Sequence, residues 1–324
     1  MRLNIKHRPR RNRRNSSIRN MIAETKLAPE NLVYPLFLMG GKNKTEAIKT
    51  LPGLHRYSVD QVLSKMAKWV DLGLQSYALF PQIEEHLKDK KGSESLNPQG
   101  LFAEAIFEIK KRYPDVVLFT DVALDPYSSD GHDGVVQNGK ILNDETVEIL
   151  AKMAVVQAQA GADYVSPSDM MDGRVAAIRS ALDGKGYQDV GIMAYSAKYA
   201  SSFYGPFRDA LGSAPKSGDK KTYQMDYRNR IEAIREVQLD VQQGADIVMV
   251  KPALSYLDVI REVKNAVKVP VAAYNVSGEY AMIKFAAQSG ALDSHRAMME
   301  VLTSIKRAGA DLIFTYFAEE FLTS

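Results

Sequence analysis

The tripeptide Gly-Ala-Asp occurs three times, at Gly161, Gly244 and Gly309, and each copy opens an apolar run: "GADYVSPSD", "GADIVMVKP" and "GADLIFTYF". An amphipathic stretch precedes each one, "DETVEILAKMAVVQAQA", "NRIEAIREVQLDVQQ" and "SHRAMMEVLTSIKRA". In the first, Val147, Leu150, Ala151 and Ala154 recur at helical spacing. Each glycine then stands where a helix end favours a left-handed residue. The repeated unit is therefore a helix, a glycine stop, a short buried strand and a polar residue at the strand's end. The aspartate lies at the opposite end of the strand and is expected to be structural.

Other segments fit the same unit. Strands are predicted at "LVYPLFLM", "SYALF", "VVLFTDV", "DYVSPS", "VGIMAYS", "DIVMVK", "VPVAAYNV" and "DLIFTYF". A helix is predicted from Ser58, with a Ser-x-x-Gln capping box at its start. Continuous apolar runs argue for strands covered on both faces, hence a parallel sheet. Eight alternating strands and helices favour an α/β fold, a (β/α)8 TIM barrel over residues 31–324, preceded by an arm over residues 1–30. No Gly-x-Gly-x-x-Gly turn follows the first strand, which counts against a dinucleotide fold.

Composition removes several classes of function. The 324 residues include no cysteine, so disulfides and thiolate metal sites are excluded. No apolar run approaches the roughly 20 residues of a membrane helix, and no signal-peptide pattern is seen, so a cytoplasmic location is expected. A net charge of +3 does not imply a nucleic-acid partner for the body of the chain. The arm "KHRPRRNRRNSSIRN" is strongly basic, but no aromatic interleaves its arginines. Docking on a neighbouring subunit is the expected role.

In a (β/α)8 barrel, catalytic groups gather where strands end. The third strand ends in "TDVALDPYSSDGHDG", offering Asp121, Asp125 and Asp133; the fourth in "SPSDMMDGR", with Ser168, Asp169 and Arg174. Tyr195 and Lys198 end the fifth, Lys251 the sixth, while Ser277 follows the seventh and Tyr316 the eighth. Lys198 and Lys251 lie on adjacent strands, so both are expected in one cavity. Two partly desolvated ammonium groups depress each other's pKa. A neutral lysine is an amine nucleophile that condenses with a ketone or aldehyde to a Schiff base. The long stretch "YASSFYGPFRDALGSAPKSGDKKTYQ" reads as a lid, whose Arg208, Lys220 and Lys221 could hold a substrate carboxylate, with Gln224 beside them.

The segments "AKYASSFYGPFRDA", "GADIVMVKPALSYLD", "VSPSDMMDGR" and "VSGEYAM" closely resemble the porphobilinogen synthase (δ-aminolevulinic acid dehydratase) family, and the likeness runs from the arm to the last strand. The resemblance implies condensation of two 5-aminolevulinate molecules to porphobilinogen, with loss of two waters, on the way to haem and other tetrapyrroles. It implies Schiff bases at Lys251, on the propionate-side substrate, and at Lys198, on the acetate-side substrate. It assigns Arg208, Lys220 and Gln224 to the acetate-side carboxylate, and Ser277 and Tyr316 to the other. It also implies a homo-oligomer, commonly an octamer built through arm exchange.

The metal loop departs from the zinc-dependent members. Ala123, Asp125 and Asp133 stand where those members place three cysteines, so no zinc is expected. Carboxylates favour hard cations such as Mg2+ or no metal, and a metal between Asp125 and Asp133 stays open. The resemblance implies an activating Mg2+ at Glu236, with Asp169 as a partner and K+ as a further candidate activator. Two other readings compete: a Schiff-base aldolase, which would need one lysine and usually a phosphate site, and a non-catalytic binding protein in which the basic arm matters most.

Overall fold

The computed structural model describes residues 5–323. Eight parallel strands form the body: β1 (Leu32–Met39), β2 (Ser76–Gln82), β3 (Val117–Val122), β4 (Tyr164–Pro167), β5 (Gly191–Lys198), β6 (Ile247–Lys251), β7 (Val271–Asn275) and β8 (Leu312–Thr315). β8 pairs back onto β1 through Leu32↔Ile313 and Val33↔Phe314, which closes the barrel. Beyond those two pairs, the short strand His55–Tyr57 takes over the free edge of β1 at Phe37 and Leu38. All eight strands lie where the apolar runs predict them.

The three repeats explain the closed end of the barrel. The helices Asn143–Ala160 and Ser294–Ala308 and the end of Ile231–Gln242 stop at Gly161, Gly309 and Gly244, whose φ values are 110°, 128° and 104°. These angles are strained for any residue with a Cβ. The aspartates are structural, as expected. Asp163 accepts from Leu118 N–H, Asp246 from Ile192 N–H and Asp311 from Val271 N–H, each at 2.8 Å. Each repeat thus ties its own strand to the start of the strand before it.

The helix after Ser58 forms over Val59–Asp71 and buries Val59, Val62, Met66 and Trp69 on one face. Its expected capping box does not form. The Ser58 hydroxyl accepts from Lys44 N–H at 2.9 Å and donates to Asp60 at 2.7 Å, while Gln61 reaches Asn43 instead. The neighbouring hairpin competes for the cap oxygen and wins it.

The lid stretch is more ordered than a loop. It folds into a turn at Ser202–Tyr204 and a short helix, Gly205–Leu211, before an irregular run. That run is seated on the loop after β3: Lys216 N–H donates to Asp130 O at 3.0 Å, and His132 Nε2 lies 2.9 Å from Ser217 O. Gly131 permits this approach, since a side chain there would collide with the Ala214 carbonyl. The arm forms a turn at Pro9–Arg13 and a helix at Ser16–Met21, and the hydrogen bonds of residues 8–23 are to one another.

Candidate active site

The pairing of β5 with β6 contains a β-bulge. Ala194 opposes Val248, but Ala197 opposes Val250, so β5 spends one more residue than its partner. Strict alternation would send Tyr195 and Lys198 to opposite faces. The extra residue resets the alternation. Lys198 then stands directly opposite Lys251. Their Nζ atoms lie 5.9 Å and 4.9 Å from the same Tyr195 ring. The two lysines and Tyr195 share one cavity.

The lysines have unlike surroundings. Lys198 Nζ donates to Asp133 Oδ2 at 3.1 Å and to the Ser168 carbonyl. Lys251 forms no ion pair among the described residues. Its Nζ is enclosed by the rings of Tyr274, Tyr195, Phe207 and Tyr204, at 4.5 to 5.2 Å. Burial, reinforced by the Lys198 charge, pushes Lys251 down to about 7, against the pull of Asp121, Asp125 and Asp133. The drop corresponds to about 5 kcal/mol against the ammonium form. Cation–π attraction, about 2 kcal/mol or more for a desolvated contact, opposes this drop.

Around them the acids divide. Burial, then the neighbouring Asp125 charge, pushes the Asp121 carboxyl up to about 7. Burial would also raise Asp133, but the ammonium groups of Lys198 and Lys220 outweigh it and hold Asp133 at about 2. Lys220 bridges Asp133 and Asp125, the latter at 3.4 Å. Asp125 and Asp133 therefore have cations already, and the site has no thiolate. They do not fit a divalent metal in this arrangement.

The remaining expected residues fall around this centre. Tyr316 is buried, its hydroxyl 3.0 Å from that of Tyr274. Ser277 Oγ accepts from Phe207 N–H at 3.1 Å and donates to Phe203 O at 3.2 Å, so it also anchors the lid. Arg208, half-buried, lines with Lys220 and Gln224 an outer cavity of about 910 Å3. The buried Gln224 Oε1 has no hydrogen-bond partner among the described residues. Lys220 lines the same cavity while its ammonium is paired with Asp125 and Asp133.

Glu236 lies elsewhere, on a second cavity of about 640 Å3 shared with Asp172, Asp226 and Glu232. Burial raises its carboxyl, with Asp240, Asp172 and Glu232 adding repulsion and Arg174 opposing. Asp169 does not line that cavity. It is fully buried, accepts from Met171 N–H at 2.7 Å and faces Arg174 at 3.7 Å. Among the described residues no three His, Asp or Glu side chains converge to hold an ion directly.

Sequence reasoning misses three features. Tyr204 and Phe207 lie in the expected lid and Tyr274 in an expected strand, and nothing in the sequence shows that they wall in Lys251. Arg174 stands at a strand end, but nothing in the sequence pairs it with Asp240, at 3.0 Å. Glu279 reads as an ordinary first-turn acid, yet it is fully buried, and burial pushes it up to about 7 against the hydrogen bonds it accepts.

Comparison with known proteins accords with this geometry. The family model for delta-aminolevulinic acid dehydratase matches residues 6–324. A delta-aminolevulinic acid dehydratase of Bradyrhizobium diazoefficiens is 55% identical over 98% of this chain and 90% of its own length. A chloroplastic one of Physcomitrium patens is 55% identical over 96% of this chain and 72% of its own. The crystal structure of the Toxoplasma gondii delta-aminolevulinic acid dehydratase (porphobilinogen synthase), in complex with its reaction product porphobilinogen, superposes with a TM-score of 0.97 at 50% identity, covering 99% of this chain and 92% of that one. A cysteine-free barrel that sets two lysines across one bulge, matched over nearly its whole length by these proteins, belongs to the delta-aminolevulinic acid dehydratase family.

Proposed function

We infer that this chain is a porphobilinogen synthase that joins two 5-aminolevulinate molecules into porphobilinogen with loss of two waters, and that Lys251 supplies the first amine. The observation that carries this reading is the aromatic enclosure of Lys251 directly opposite Lys198. Near neutral pH an appreciable share of Lys251 is free amine, able to attack the substrate ketone. Dehydration of the resulting carbinolamine needs a proton donor, and Asp121 at about 7 can give and retake a proton there. Lys198 holds the second substrate. Ser277 and Tyr316 bind one carboxylate, and Arg208 and Gln224 the other. Lys220 positions Asp125 and Asp133 beneath the closed lid.

The test is direct. Purified protein supplied with 5-aminolevulinate forms the pyrrole, and borohydride traps substrate on Lys251. Trapping falls about tenfold per pH unit below about 7, because protonated amine does not attack. Absence of pyrrole, or a label confined to another lysine, sinks the assignment. An aldolase needs no second lysine in the cavity, so the paired arrangement favours the condensation.

The same reading includes Mg2+ at Glu236. A cation that keeps its water shell needs only one or two carboxylates, and the acids around the second cavity fit that demand. When bound, it supplies positive charge that relieves repulsion among Glu236, Asp172 and Glu232. Added Mg2+ is expected to raise both activity and melting temperature, and Glu236→Gln to abolish both responses. A zinc-selective chelator leaves activity intact. Activity restored by zinc alone contradicts this part of the reading.

The assembly belongs to the proposal as well. The arm exposes Ile5, Met21 and Ile22, and the hydrogen bonds of its residues 8–23 are to one another, which suits docking on another copy. A cytoplasmic homo-oligomer, octameric in its full form, is the state we propose. No helix among the described residues is long and apolar enough to cross a membrane.

A further inference from the structure

Glu279 hydrogen-bonds neither lysine, but it bonds the chain just after β6 and the end of β7 directly and reaches the end of β8 through Asn275. It lies in the first turn of the helix Ser277–Gln288 and is fully buried. Its Oε1 accepts from Leu254 N–H at 2.8 Å. Its Oε2 accepts from Val276 N–H at 3.0 Å and from Asn275 Nδ2 at 3.1 Å. Asn275 Oδ1 accepts in turn from Thr315 Oγ1 at 3.0 Å, and Thr315 Oγ1 accepts from Phe317 N–H at 3.2 Å. The hydrogens all run one way: Phe317 to Thr315, Thr315 to Asn275, Asn275 to Glu279. A run of donors must end on an acceptor, and the Glu279 carboxyl, which takes three hydrogens on its two oxygens, is that acceptor. A network satisfied in one sense only fixes its members firmly.

Each contact stands beside a residue of the reaction. Leu254 lies on the turn that follows Lys251 and Pro252, Val276 precedes Ser277, and Thr315 precedes Tyr316. These are the three groups assigned above to a single substrate molecule. We propose that Glu279 is a positioning residue: its carboxylate fixes the ends of β6, β7 and β8 relative to one another, and so sets where Lys251, Ser277 and Tyr316 meet one substrate. The proposal rests on the reading of Lys251 as the Schiff-base amine.

Two variants of the full chain test it. Glu279→Gln keeps the shape but turns an amide NH2 into a ring of donors. Thr315→Val cuts the link from Asn275 to β8, together with the acceptor of Phe317 N–H, and leaves the bonds of Glu279 itself in place. Borohydride trapping of 5-aminolevulinate is followed against pH, with the labelled lysine mapped by peptide mass. For Glu279→Gln, kcat falls roughly 10- to 100-fold, as expected when reacting groups shift by about an ångström. The trapping midpoint on Lys251 rises by about one pH unit, because a released turn admits water to the ammonium. Loss of a negative charge alone would move the midpoint down. For Thr315→Val, KM rises roughly fivefold while kcat and the midpoint hold, since only the carboxylate-binding Tyr316 is loosened. A Glu279→Gln midpoint that stays or falls overturns the proposal, as does an unchanged KM in Thr315→Val. If Glu279→Gln does not fold, Thr315→Val decides alone. A parent label on a lysine other than Lys251 overturns the Schiff-base assignment itself, and this proposal with it. A parent label on Lys251 with unmoved variants overturns this proposal only.

Discussion

Lys251→Met is expected to be both inactive and more stable than the parent. Pyrrole formation falls by roughly 10^4-fold or more, the scale on which removing a nucleophile acts. The stability gain follows from linkage. The folded value of Lys251, about 7, lies below its unfolded 10.5. At pH 7 to 8 the unfolded chain therefore binds a proton that the folded chain holds weakly, and folding bears a cost of a few kcal/mol. Methionine fills the aromatic enclosure without that cost. The advantage is present at neutral pH and shrinks as pH rises toward 10.5, where the unfolded lysine also deprotonates. Chemical denaturation at pH 7.5 and pH 10, beside a single-turnover assay, measures both effects. A variant that retains a hundredth of the activity, or one no more stable than the parent at pH 7.5, contradicts the account. The site is thus a place where stability has been given up for an uncharged amine.

Asp133→Asn should have the opposite effect on stability. It strips the shared counter-charge from two buried lysines, Lys198 and Lys220. Breaking a buried pair by removing one partner costs about 3–5 kcal/mol. The pH dependence carries its own signature. The folded value, about 2, lies below the ordinary 3.8, so Asp133 stabilises the fold fully above pH 3.8 and stops doing so as pH falls toward 2. The parent should therefore lose stability across that interval more steeply than Asp133→Asn. Denaturation series at pH 7 and pH 3 give the comparison. A deficit at pH 7 that does not narrow at pH 3 would point to packing rather than charge. Catalysis should suffer as well, roughly 100-fold, since Lys198 and the lid lysine lose their common anchor.

How these residues were legible differs from one to the next. The barrel could be read because its signal is local and repeated. Glycines at 161, 244 and 309 end helices, apolar runs follow, and the aspartates recur at one end. Lys251 could be read because an ammonium at the end of four apolar residues is costly. Glu279 could not, since an acid in a helix's first turn is ordinary in sequence, and only the fold brings Leu254 and Asn275 to it. Asp169 was legible as a strand-end acid, but its burial against Arg174 was not, since Arg174 opens the next helix and is held by the distant Asp240. The capping box at Ser58 failed for the same reason, because its competitor, Lys44, is distant in local pattern though near in space.

The bulge in β5 bears on the stoichiometry of the reaction. Side chains along a strand obey a parity rule, and one inserted residue reverses the parity of everything after it. Without the insertion, Lys198 would leave the cavity while Tyr195 remained, and the barrel would hold a single amine. With it, two amines on neighbouring strands address one enclosed volume. Whether such a barrel can tether one ketone or two is therefore written in the backbone count of a strand. The identity of the lysine alone does not decide it. A catalyst that must join two copies of the same molecule needs that second tether, and here one residue of slack in a ladder provides it.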